Sequence, residues 1–98
     1  MKLMAITHRV PGATNGQIAA LQTSEVTMVW SMILEGFIRE IYFDPRRPCV
    51  VLILESESEE TARARLRELP MAKDRQIDFD YYALGPYRQL EHLFAKAE

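Results

Sequence analysis

Cysteine is nearly absent from this 98-residue chain: Cys49 stands alone, so no disulfide can form within it. A lone thiol fits a reducing compartment. Histidine is scarce as well, and two histidines with one cysteine are too few for a closed structural zinc site. The four glycines, Gly12, Gly16, Gly36 and Gly85, are scattered, which excludes a glycine-rich phosphate loop. Neither sign of charge dominates. Twelve basic and fourteen acidic side chains leave a formal net charge of -2, without the dense cationic footprint that a nucleic acid requires. Long apolar runs are missing too. The longest mostly apolar stretch, Val26 to Leu34, is far short of the ~20 residues that span a bilayer. The first residues, Met1-Lys2-Leu3-Met4-Ala5, lead straight into Thr7-His8-Arg9 and lack the apolar segment of a secretory signal. Together these absences predict a cytoplasmic protein with no metal, no cofactor, and no nucleic-acid or membrane partner.

What is present suits one domain over residues 1–98. Apolar residues make up 48% and charged residues 27%, enough for one modest core and against disorder. Lys2 to Arg9 alternates with period two and predicts a strand. Thr14-Asn15-Gly16-Gln17 reads as a capping box opening a helix to about Glu35, with Gly36 placed to stop it. Ile18, Leu21, Glu25, Met28, Val29, Met32 and Ile33 follow helical spacing along it. Phe37 to Phe43 predicts a second strand, and Asp44-Pro45-Arg46-Arg47-Pro48 a turn. Cys49 to Glu55 is a continuously apolar third strand, as expected of a central one. Ser56 or Ser58 caps a second helix through Leu69, which Pro70 ends. Ile77 to Leu84 predicts a fourth strand, and Tyr87 to Phe94 a short amphipathic tail helix.

The order β-α-β-β-α-β specifies an α+β, ferredoxin-like split βαβ fold. Right-handed crossovers give an antiparallel four-stranded sheet of order 4-1-3-2 with both helices on one face. The other face then needs a partner. Alternation assigns Phe37, Arg39, Ile41 and Phe43, with Ile77, Phe79 and Tyr81, to the helix side. It assigns Met4, Ile6 and His8, Ile38, Glu40 and Tyr42, and Asp78, Asp80, Tyr82 and Leu84 to the open side. Strand directions bring His8, Glu40, Tyr42, Asp78 and Asp80 toward one end of that open face. A histidine beside a carboxylate works as acid and base near neutral pH. His8 is therefore the candidate acid/base, with Asp80 or Glu40 as its partner. Tyr42, Tyr82 and Asp78 are the candidate substrate-binding groups, the phenols serving a developing oxyanion.

The segments Glu35-Gly36-Phe37-Ile38-Arg39-Glu40-Ile41-Tyr42-Phe43, Val51-Leu52-Ile53-Leu54-Glu55, Glu68-Leu69-Pro70-Met71, Ile77-Asp78-Phe79-Asp80 and Leu84-Gly85-Pro86-Tyr87 together resemble the dimeric α/β-barrel superfamily. The likeness is greatest to its muconolactone-isomerase-like members, and the small YciI-like proteins are similar in size and topology. The resemblance covers nearly the whole chain and is architectural. Muconolactone isomerases tend to carry histidine-proline after the last strand, where this chain has Gly85-Pro86-Tyr87. The resemblance implies a homodimer whose open sheet faces close an eight-stranded barrel. It implies a small-molecule pocket between sheet and partner, a tail lying across the neighbour, and a glutamate on the first helix, here Glu25. The function expected is isomerase- or lyase-like proton transfer on a small metabolite. The alternative is a non-catalytic ligand-binding or assembly module of the same fold. The run Glu55-Ser56-Glu57-Ser58-Glu59-Glu60 followed by Arg63, Arg65 and Arg67 reads as macrodipole and i,i+4 pairing rather than an anion site.

Overall fold

The computed structural model describes residues 1–95. β1 (Lys2–Arg9) is followed by α1 (Asn15–Leu34), β2 (Ile38–Asp44), β3 (Cys49–Glu55), α2 (Glu59–Leu66), α3 (Pro70–Lys73), β4 (Ile77–Ala83) and a 3-10 segment (Arg88–Leu93). The strands form one antiparallel sheet of order β2-β3-β1-β4. Leu3, Ala5, Leu52, Leu54 and Phe79 point to one face and pack with Met32 of α1, Ala62 and Leu66 of α2, and Leu69 to make the core. Both helices therefore cover the same side.

The ends of α1 follow from its sequence. Thr14 Oγ1 accepts from the Gln17 amide at 3.1 Å. The reciprocal half of the expected capping box is not made by Gln17. Instead the Thr14 amide donates to Oε1 of the buried Gln76, 62 residues away, at 3.1 Å. The cap thus ties α1 to the entry of β4. At the other end Gly36 adopts φ +82°, with its amide on Ile33 O at 3.0 Å and the Phe37 amide on Met32 O at 3.1 Å. That pair of bonds is a Schellman stop, and a side chain at Gly36 would have to enter the left-handed region.

Two expectations are corrected. Ile38, assigned to the open face, is 2% exposed on the helix side. The register passes from Ile38↔Leu54 to Glu40↔Ile53, so Arg39 is an extra residue in a bulge. The bulge turns Arg39 out of the ladder, where its Nε donates to Gly36 O at 2.6 Å, and flips the parity only upstream of it. Pro70, expected to end the second helix, also begins α3 at its first position, where a missing amide costs nothing. The short tail helix expected over Tyr87 to Phe94 is a 3-10 segment, Arg88–Leu93.

The arginines of α2 are used in packing. Arg63 pairs with Glu59 at 2.9 Å and lies 4.2 Å over the Tyr81 ring. Arg65 pairs with Glu35 and lies 4.4 Å over the Phe37 ring. No helix among the described residues is long and apolar enough to cross a membrane.

Candidate functional site

On the open face the register sets out rows of side chains. Glu40, Ile53, Met4 and Tyr82 form one row, and Tyr42, Val51, Ile6 and Asp80 the next. His8 stands opposite Asp78 in the row beyond. The centre is an apolar strip of Met4, Ile6, Val51 and Ile53, each only half-buried. The polar groups sit at the two margins.

At the β4 margin the His8 imidazole reaches diagonally, placing Nδ1 3.2 Å from Asp80 Oδ2. Asp78, though directly opposite His8, turns to the backbone: its Oδ1 accepts from the Phe79 amide at 2.8 Å. Tyr82 lies next to this pair along β4 and is 52% exposed. At the β2 margin Tyr42 Oη donates to Glu40 Oε1 at 2.6 Å. That bond holds the phenol proton and raises the Tyr42 pKa above its ordinary value. Two strand spacings, roughly 9–10 Å, separate β2 from His8 on β1, and three, roughly 14 Å, separate it from Asp80 on β4. Within one chain, then, His8 and Asp80 come together, Asp78 stands opposite His8 but turns to the backbone, Tyr82 lies one row beyond Asp80, and Glu40 and Tyr42 form a separate pair.

The opposite face holds a cleft that, of the six candidate residues, only His8 borders. A cleft of about 310 Å³ opens between the N-terminal two-thirds of α1 and the sheet. Its walls are mainly apolar: Ile18, Val26 and Val29 on α1, Ile41 and Phe43 on β2, and Phe79 on β4. Glu25 stands in this wall at 8% exposure. Its Oε1 accepts from the Met71 amide at 2.9 Å, and no hydrogen bond among the described residues reaches its other oxygen. Burial raises the Glu25 pKa above its ordinary 4.5, and the single amide bond only partly offsets that. Thr7, also in the wall, uses Oγ1 to accept from the Val50 amide at 2.8 Å and keeps its own proton free to donate.

The signal for Glu25 was visible as an acidic residue inside the apolar stripe of α1. A carboxylate at such a position must be partnered or neutralised. What the stripe does not reveal is whether the space around it is filled. No family model matches the chain, and no curated protein matches it.

Proposed function

We propose that this chain is a homodimer of ferredoxin-like, dimeric α/β-barrel type that carries out isomerase- or lyase-like proton transfer on a small, largely apolar metabolite. The observation that carries the reading is Glu25, a carboxyl buried in the wall of a ligand-sized apolar cleft with its pKa raised. Clefts of this kind, with few polar groups, suit one small molecule. A carboxyl poised upward by burial serves as base toward a carbon acid and then as acid toward the product. Glu25 takes the proton, and Thr7 supports the oxygen on which charge develops. The uncovered strip of Met4, Ile6, Val51 and Ile53 supports the homodimer, since a two-fold contact covers it with the same strip of a second copy.

A second reading places the chemistry on the open face, with His8 as acid/base, Asp80 orienting it and Tyr82 beside the substrate. The 3.2 Å approach of His8 to Asp80 favours it. The non-catalytic alternative keeps the dimer and the cleft and removes only the proton transfer.

Deuterium exchange separates the three. A panel of small lactones and 2-oxo acids is incubated with the protein in D2O, and mass gain is followed. The proposal predicts catalysed exchange that falls by roughly 10²–10⁴-fold in Glu25→Gln. Exchange that survives in Glu25→Gln but falls in Asp80→Asn, a residue outside the cleft, would move the site to the open face. Panel compounds that bind in native mass spectrometry without exchange would leave a binding module.

A further inference from the structure

A sheet edge presents unpaired backbone to solvent, and the two edges of this sheet differ. β4 carries Asp78 and Asp80, charges that discourage a neighbouring strand. β2 carries no charge between Glu40 and Asp44, where the segment is Ile41-Tyr42-Phe43. The bulge at Arg39 disrupts only the start of that edge. The ladder fixes where the remaining backbone groups point. The Val50 amide turns toward β1 and donates to Thr7 Oγ1 at 2.8 Å, so Val51, next along β3, turns toward β2 and faces Tyr42. The backbone groups of Tyr42 are therefore used within the sheet. Those of Ile41 and Phe43 point outward, and no hydrogen bond among the described residues meets them.

An apolar shelf lies beside the same edge. Val26 and Val29 of α1 stand with Ile41 and Phe43 of β2 around the mouth of the cleft. Trp30, one turn after Val26, continues that flank of α1, whereas Ser24, Thr27 and Ser31 take the other flank, toward Arg65 of α2. Val26, Trp30, Ile41 and Phe43 are between 42% and 61% exposed. A lone chain thus leaves strong backbone donors and acceptors and a hydrophobic shelf open side by side.

One operation satisfies both. We propose that β2 pairs antiparallel with β2 of a second copy, about a two-fold axis at Tyr42. In this register Ile41 faces Phe43 of the second copy, the symmetric pair repeats the contact, and every outward amide and carbonyl of these residues gains a partner. The axis stands perpendicular to the sheet, so the two α1 flanks meet on one side and cover Trp30. Farther along, Glu40 comes opposite Asp44 of the second copy. Arg46 and Arg47 hold Asp44 at 3.2 and 3.4 Å, so that corner is net positive, and Glu40 has no cationic partner among the described residues. The charges are complementary at both ends of the pairing. Trp30, Tyr42 and Phe43 bury at most roughly 150–250 Å² each when wholly covered. With Val26 and Ile41 the contact comes to about 1,000 Å² over both copies, the low end for a specific interface. The pairing therefore belongs to high micromolar concentrations. It leaves the open strip free, and it does not depend on the chemistry assigned to Glu25 or His8.

Cross-linking reads the register. Across the axis, position 42 meets itself as a directly opposed pair with Cα atoms about 4.5 Å apart, within reach of a disulfide. Position 41 meets itself only on the diagonal, about 7–8 Å away and at or beyond that reach. Tyr42→Cys and Ile41→Cys are each made with Cys49→Ser, so that no other thiol is present. At high micromolar protein under mild oxidation, Tyr42→Cys is expected to give a disulfide-linked dimer severalfold faster than Ile41→Cys, and more slowly in high salt. Equal rates would mean random collision, and no linkage would mean a free edge; either overturns the proposal. Adding Phe43→Pro removes one outward amide without touching the ladder to β3, and should slow cross-linking severalfold. Undiminished linkage in that variant, folded by circular dichroism, would also overturn it. Adding Met4→Asp puts a charge in the open strip and should leave the rate unchanged. Loss of linkage there would assign the contact to the open face instead. Trp30, the single tryptophan, gives a reading without substitution. Its emission should shift to the blue, and acrylamide quenching weaken severalfold, between nanomolar and high micromolar protein. A Trp30 equally exposed at both ends of that range would overturn the pairing.

Discussion

The two faces of this sheet are made from the same four strands and have opposite fates. On the helix side Leu3, Ala5, Leu52 and Leu54 are at most 2% exposed. On the open side the residues between them, Met4, Ile6, Val51 and Ile53, are only half-buried. The chemistry of the strips is alike; what differs is the cover. Helices cover one face through the chain's own connections, whereas the other face holds an apolar centre with polar margins, the pattern of an association surface. A second contrast lies within the covered face. Near Ile38 and Leu54 the helices are packed tightly, and toward His8 and Cys49 the same layer opens into the cleft that holds Glu25.

The largest effect expected comes from breaking the covered face. Leu54→Ala removes a side chain with no exposure and should cost about 2–5 kcal/mol, read by urea unfolding, at any protein concentration. A loss well under 1 kcal/mol would mean that the helix-side layer is not the core.

Glu25 sharpens the contrast within that face. Its folded pKa lies above 4.5, so its contribution to stability is full below about that pH and is lost as pH rises through the raised value. Glu25→Gln keeps an acceptor for the Met71 amide and removes the titration. The variant should therefore gain on the wild type as pH rises, and its stability should lack that downward component. Parallel pH–stability curves for the two proteins would show that Glu25 is solvated, contrary to the cleft geometry.

The smallest effect belongs to the outer surface. Glu59→Ala breaks an i,i+4 pair with Arg63 whose side chains are each 40% exposed, and should cost about 0.3–0.5 kcal/mol. A loss several times larger would mean that Glu59 also holds Arg63 over Tyr81.

The strands and helices were legible because their signals are local. Period two marks β1, Thr14 marks the start of α1, and Gly36 marks its stop. The open face with His8, Asp80, Glu40 and Tyr42 was legible for the same reason, since alternation holds wherever the ladder is regular. It failed at Ile38, where one bulged residue, Arg39, inverts the parity and puts a core side chain on the wrong list. It was incomplete for the cap of α1, because Gln76 is distant in sequence and only the fold delivers it. The separation of Glu40 and Tyr42 from His8 follows from β3 standing between β2 and β1, a fact of strand order rather than of any one strand. Glu25 was visible as a residue, and the cleft around it was not, since empty space has no sequence signature.

Native mass spectrometry of the untagged protein at micromolar concentration, beside Val51→Asp, tests the two-fold contact of the open faces. A dimer through the open strip predicts a species of twice 11.3 kDa for the wild type, reduced to 11.3 kDa when a charge is placed in that strip. A wild type that stays at 11.3 kDa would contradict it, because the half-buried face of the sheet would then have no second copy to cover it.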